Sequence, residues 1–323
     1  MKYFSLYDKI TIRRKNDSRI ERKTTEVKNG IVVINKCEGL SSFAVVSRVR
    51  RIFGVKKAGH TGTLDPMATG VLPVLLERAV KASEYMLTSD KHYSATLLLG
   101  VSTDTEDITG TVLERSDKIP SEEEVFAAIS SMLGESEQTP PMYSALKVGG
   151  QKLCDLARQG KVIERESRKI TIHKIDAEKI SDLEYKIDVE CSKGTYIRTL
   201  CADIGKKLGC GGTMKTLCRL EASGFPLSDA VTLDELEGMS EAEREALIYP
   251  IEHIFKDKRK VTLAPFFARL ARCGVEIYLK KIGVKAECGE QIALYDESGF
   301  FALGEVREFD DGIAIKPIKQ FEV

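Results

Sequence analysis

Residues 59–74 read GHTGTLDPMATGVLPV, with three glycines, three threonines, one histidine and one carboxylate set between apolar runs. No strand or helix hides so many polar groups, so this segment has to be a loop gripped by core elements on both sides. The flanks fit that demand. IVVIN at 31–35 is an apolar run of strand length, and VLPVLL at 71–76 is another. Between them Ser41 or Ser42 offers a helix N-cap, and Phe43, Val46, Val49 and Phe53 fall on one helical face. Asp65 is the sole acid between Glu38 and Glu77, and Pro66 biases its backbone toward an extended geometry. Residue types alone leave two readings. One is an ordinary Asp-Pro turn; the other is a catalytic carboxylate kept ionised, with a lowered pKa, by nearby cations.

Other chemistries fit poorly. Residues 54–61 nearly follow the phosphate-loop pattern GxxxxGK[ST], but His60 replaces the lysine and a helix precedes where a strand is required. His60, His92, His173 and His253 lie far apart, and the eight cysteines form no CxxC pair, so no metal site is expected. Such cysteines in a chain of 323 residues read as reduced thiols. With no membrane-length apolar run and no secretory leader, the sequence predicts a cytoplasmic protein. Equal numbers of basic and acidic residues, 49 each, speak at face value against a polyanion partner. The sum conceals an asymmetry. Residues 1–60 hold fifteen lysines and arginines against five acids, whereas 229–252 hold eight acids against Arg244 alone. Arg48, Arg50 and Arg51 lie off the apolar helix stripe, with Lys56 and Lys57 just after, as either a solvated face or an anion-facing surface. On this reading the acidic stretch faces away from any polyanion.

Along the chain, residues 1–28 form a basic extension without apolar period. Helices are expected over 78–87, 121–133, 151–159 and up to Gly209, and strands over 92–100, 168–178, 183–191 and 211–225. The elements do not alternate as βαβα, which gives a mixed α+β core. The acidic stretch reads as one or two surface helices, and beyond a charged linker the tail is β-rich. Three parts result: the 1–28 extension, a main domain over 29–255 and a small domain over 256–323.

Six segments in order then resemble one family, the bacterial tRNA pseudouridine synthase B family. They are the 59–74 loop; Asn35-Lys36-x-x-Gly39-x-Ser41-Ser42; Lys91-x-Tyr93; Thr103-Asp104-Thr105-x-Asp107-x-x-Gly110; Gln138-x-Pro140-Pro141-x-Tyr143-Ser144-Ala145-x-Lys147; and Cys191-Ser192-Lys193-Gly194-Thr195-Tyr196-Ile197-Arg198-Thr199-Leu200. The resemblance implies a pseudouridine synthase core on a mixed, mostly antiparallel sheet, followed by a small β-rich RNA-binding (PUA-like) domain. It implies isomerisation of uridine 55 in the TΨC loop of tRNA without cofactor or metal. The N1–C1′ bond is cut, the uracil turns, and C5 is joined to C1′. The implied partner is tRNA, with no membrane, no obligatory protein partner and nothing demanding more than a monomer.

By the same resemblance Asp65 is the essential carboxylate, as nucleophile or as base. Arg198 is its ion-pair partner, and Tyr93 stacks on the uracil and serves proton transfer at C5. Leu217 walls the uridine pocket, and His60 fills the space left by the flipped base. Thr63 and Tyr196 join the substrate-binding set. Lys36, Arg48, Arg50, Arg51, Lys56 and Lys57 would hold phosphates. Lys147 lies on a mobile loop with Gly149-Gly150 as hinge. Cys37, Cys154 and Cys218 depart from the family pattern, where proline, tyrosine and an occasional arginine stand. Two rival functions share the basic residues: a synthase acting on another RNA, and a tRNA-binding folding helper that does not need Asp65.

Overall fold

The structure, a computed structural model, describes residues 28–321. The basic extension therefore lies almost wholly outside the described residues. Strand β1 (Gly30–Lys36) opens the fold and leads into a helix, Ser42–Phe53. Ser41 caps that helix through its hydroxyl, which accepts from the Ala44 amide, and Gly54 ends it in a left-handed conformation. Its buried stripe is Val45, Val46, Val49 and Phe53. Phe43 was expected there, but it lies in the helix's first turn with 76% of its surface exposed.

The short β2 (Ala58–His60) and the longer β3 (Thr69–Leu76) bracket the polar loop. β3 runs antiparallel to β1 along its full length. Its other edge is divided, with β2 on Val74–Leu76 and a later strand on Thr69 and Gly70. The loop emerges where the partner changes. β1 and β3 are apolar at nearly every position because both faces are covered. Val32, Ile34, Leu72 and Val74 enter one cluster, while Ile31, Val33, Val71 and Leu75 enter another.

The chain continues through a 3₁₀ turn, Glu77–Ala82, and a short helix, Ser83–Leu87, where a single helix was expected. β4 (Lys91–Leu99) follows, then a separate ribbon of β5 (Val101–Thr103) and β6 (Val112–Arg115). Helix Glu122–Ser130 starts at a Ser121–Glu124 capping box and precedes β7 (Gly134–Gln138). β8 (Lys147–Val148) and β9 (Gln151–Lys152) form a small hairpin, followed by helix Leu153–Arg158. Gly149 and Gly150, with φ of 58° and 84°, are the two-residue tip of that hairpin, not a hinge between elements. β10 (Arg168–Lys179), β11 (Glu184–Cys191), helix Ile197–Leu208, β12 (Gly212–Ala222) and β13 (Phe225–Pro226) complete the larger sheet. Among the described residues it has nine strands in the order β1-β3-β12-β4-β11-β10-β7, with β2 and β13 attached to β3 and β12. Every pairing is antiparallel except β12 with β3, so the expected mixed, mostly antiparallel α+β sheet is what forms.

The acidic stretch makes two short helices, Leu233–Gly238 and Glu241–Ala246, each begun by a capping box. A second sheet holds β14 (Arg259–Thr262), β15 (Ile277–Tyr278), β16 (Gln291–Asp296), β17 (Gly299–Phe309) and β18 (Gly312–Gln320). Helix Pro265–Arg272 was not expected, although Pro265 at its first turn is a start signal. The two sheets share an apolar seam. Phe255 lies 5.5 Å from Phe300 and 5.4 Å from Phe321 between ring centres. These rings join the cluster that contains Ile31, Val33 and Val71 of the larger sheet.

Candidate active site

The loop carrying Asp65 is pinned on both sides of the carboxylate. Ser42 Oγ donates to the Leu64 carbonyl at 3.0 Å and accepts from the Leu64 amide at 2.8 Å. Beyond it the Gly39 amide donates to the Pro66 carbonyl at 2.8 Å, and the Ala68 amide closes a turn on the Asp65 carbonyl at 3.0 Å. Lys36 completes the grip. Its ammonium donates to the carbonyls of Cys37 (2.9 Å), Pro66 (3.1 Å) and Ala68 (2.5 Å), and the residue is fully buried. Lys36 was expected on a phosphate. Its three donors are instead used inside the protein to shape the loop.

Arg198 stands in the first turn of helix Ile197–Leu208, 5% exposed, and meets Asp65 side-on. Nε donates to Oδ2 at 3.0 Å and Nη2 to Oδ1 at 3.4 Å. The guanidinium also donates to the carbonyls of Thr105 (3.1 Å) and Tyr143 (2.8 Å) and lies 3.6 Å from the Asp107 carboxylate. Arg198 thus ties together the Asp65 loop, the 103–110 turn and the Pro-Pro loop. Asp107 is itself buried, accepting from Thr105 Oγ1, Thr109 Oγ1 and the Thr109 amide. Gln138 fixes the start of the helix, exchanging hydrogen bonds with the Tyr196 backbone at 2.8 and 3.1 Å.

The expectation that cations lower the Asp65 pKa is reversed. Burial pushes the carboxyl above its usual range and Asp107 adds to the push, while Arg198 and Lys36 pull only part of the way back. Taking a carboxylate out of water outweighs the neighbouring charges.

Tyr93 lies on β4, 8% exposed, with burial raising its phenol pKa against the opposing pull of Arg219. Leu217 is two residues before Arg219 on β12, and that strand pairs with β4 at Leu217–Ala95 and Arg219–Tyr93. His60 ends β2, half-buried. Its Nδ1 has no partner among the described residues, and burial with the charge of Arg219 lowers its pKa, so the ring is neutral at neutral pH. Tyr196 is partly exposed beside Gln138, and Thr63, Lys56, Lys57 and Lys147 are exposed. The loop between β2 and β3, with Asp65 paired to Arg198, therefore meets Tyr93 and Leu217, which share an apolar cluster with Leu64 of that loop.

Arg48 departs from the expected anion-facing role. It donates to Glu237 through Nε and Nη2, both at 2.7 Å, and lies 3.1 Å from Asp234. Arg51 is 3.7 Å from Glu237. The acidic helix Leu233–Gly238 sits against the basic helix, not on a remote face. Arg50, Lys56 and Lys57 have no ion pair among the described residues and stay exposed. Sequence reasoning passed over Ser42 as a loop anchor, Gln138, and above all Arg219. The signal for Arg219 was there: it shares the inward period of Leu217 on an alternating strand, where a charged residue is out of place.

Among the described residues no group of three or more His, Cys, Asp or Glu could hold a metal ion, and no helix is long and apolar enough to cross a membrane. Residues 50–197 match the family model described as TruB family pseudouridylate synthase (N terminal domain). Residues 198–256 match the tRNA pseudouridylate synthase B C-terminal domain. The tRNA pseudouridine synthase B of Alkaliphilus oremlandii (strain OhILAs) is 42% identical over 284 residues, covering 87% of this chain and 94% of the relative. That of Francisella tularensis subsp. novicida (strain U112) is 42% identical over 287 residues, covering 88% and 92%. A crystal structure of a Cbf5-Nop10-Gar1 complex contains a chain that superposes with a TM-score of 0.68 at 25% identity, covering 91% of this chain and 85% of that one. With these motifs assembled as described, the chain belongs to the tRNA pseudouridine synthase B family.

Proposed function

We propose that this protein isomerises uridine to pseudouridine in tRNA, at position 55 of the TΨC loop. One observation carries the reading. Asp65 is held side-on by the buried guanidinium of Arg198, on a loop pinned by Lys36 and Ser42. Such a carboxylate is pre-oriented and cannot rotate away from its target. The reaction breaks N1–C1′ and forms C5–C1′; C5 loses a proton and N1 gains one, so no electrons are exchanged. An ionised Asp65 serves either as nucleophile at C1′ or as base toward the ribose. Tyr93 and Leu217 would receive the extruded uracil, with the phenol at C5. His60, uncharged and with a free ring nitrogen, would take the vacated place in the RNA.

The exposed cations Arg50, Arg51, Lys56, Lys57 and Lys147 would hold phosphates, with Thr63 and Tyr196 at the rim. Residues 29–255 would form the catalytic domain and 256–323 the RNA-binding domain, the protein acting as a cytoplasmic monomer. A cavity of about 630 Å³ in the smaller domain is lined by Lys280, Lys281 and Lys285 together with Asp311 and the apolar Leu279, Ala286 and Ile313, and its lysines would offer contacts to RNA phosphates. The test is tritium release from unmodified tRNA carrying 5-tritiated uridine, with pseudouridine mapped by position. The expected result is stoichiometric release from the position-55 uridine alone, lost when that uridine is replaced by cytidine. Release elsewhere in the tRNA, or none, would overturn the reading.

A further inference from the structure

Arg219 is among the largest wholly buried side chains of the protein, 1% exposed, and among the described residues it has no carboxylate partner. A buried guanidinium without a counter-charge is costly, so its position demands an explanation. Its contacts supply one. Nε donates to the Val71 carbonyl at 2.7 Å and Nη2 to the Gly62 carbonyl at 3.1 Å. Gly62 and Val71 flank the Asp65 loop on its two arms, so one side chain closes the loop like a clasp. The backbone of Arg219 is placed just as strictly. It pairs with Gly70 on one side and with Tyr93 on the other. At Gly70, φ is +100° and a Cβ would lie 2.2 Å from the Arg219 carbonyl, so β3 approaches β12 there as only glycine permits.

Resting on the function proposed above, we infer that Arg219 is a positioning residue that sets the Asp65 loop against Tyr93 and supplies the uncompensated positive charge facing the phenol. Arg198 orients the carboxylate; Arg219 orients the loop that carries it. Among the described residues, the charged and titratable groups that act on the phenol are led by Arg219, its register partner on β12, with Cys191 from β11 and Asp65 from the loop opposing it. The field of Arg219 opposes burial, which still prevails, so the phenol's pKa stays above its ordinary value and would rise further without Arg219.

The test compares R219K and R219Q with wild type on the same unmodified tRNA, in single turnover, with tRNA affinity measured separately. R219Q is expected to slow product formation by about a hundredfold while changing affinity less than ~2-fold. R219K keeps the charge but replaces donors on two separate nitrogens of a rigid fork with a single ammonium, and is expected to lose about tenfold. On a Tyr93→Phe background the R219Q effect should shrink to a few-fold at most, because residues acting through each other are not additive. With 3-fluorotyrosine at position 93, the ¹⁹F titration midpoint should rise in R219Q and stay within a few tenths of wild type in R219K. Full additivity with Tyr93→Phe, or an unmoved midpoint in R219Q, would overturn the inference and leave Arg219 as packing. Should R219Q not fold, the R219K rate and its cycle with Tyr93→Phe decide the matter alone. Wild type run alongside separates this outcome from failure of the proposed function, which would show as no product from any form.

Discussion

At Asp65, burial and Asp107 favour the neutral acid, while Arg198 and Lys36 favour the carboxylate, and burial prevails. Catalysis by either route needs the ionised form. Its pKa is raised, so activity should fall, as pH is lowered, at a pH above the ordinary carboxylate range. Asp107→Asn removes a charge that pushes the Asp65 pKa up, so the acid limb of kcat/KM should move to lower pH. An acid limb that stays put in that variant would mean that Asp107 acts on Arg198 alone. The cations divide differently from their sequence neighbourhood. Arg48 is bound to Glu237 and Asp234, whereas Arg50 and Lys57 have no ion pair among the described residues. Arg50→Ala and Lys57→Ala should each reduce the salt dependence of tRNA affinity by about one counterion, and Arg48→Ala by much less. Binding measured across a salt series checks both. Asp65, Tyr93 and Arg198 were legible in the sequence because each falls inside a motif. Lys36 was legible as important, but its role was not, since a lysine on a phosphate and a lysine on three carbonyls have the same spelling.

At the level of elements, the loop depends on a change of partner along one edge of β3, from β2 to β12. Gly70→Ala should destabilise the protein and reduce activity together, because the added methyl meets the Arg219 backbone. A lowered Tm with a lower single-turnover rate is the expected pair of readings. Retained rate and Tm would show that the strands can part there without cost. Apolar runs and capping signals made β1, β3, β4 and helix Ile197–Leu208 readable. The parallel contact of β12 with β3 was not, since it joins residues about 150 positions apart in the chain and leaves no local pattern. Phe43 was misplaced because a helical stripe drawn from alternate turns admits either Phe43 or Val45, and tertiary contact chose Val45.

Over the whole molecule, the two sheets are joined through Phe255, Phe300 and Phe321. Phe255→Ala should cost about 3–5 kcal/mol and lower the melting of both sheets together, as one calorimetric transition. Two separated transitions in the wild-type protein would contradict a shared core. The net charge of zero likewise belongs to the whole and not to its parts. The acids of 229–252 partly neutralise the basic helix beside them, and Arg50, Lys56 and Lys57 remain as exposed cations. The proposed chemistry rests on the Asp65 carboxylate, and Asp65→Asn tests it most directly by preserving shape while removing charge. Measured on unmodified tRNA, this variant should bind within about threefold of wild type and form no pseudouridine over many wild-type half-lives. Product at a rate within about tenfold of wild type would contradict the assignment of the chemistry to Asp65.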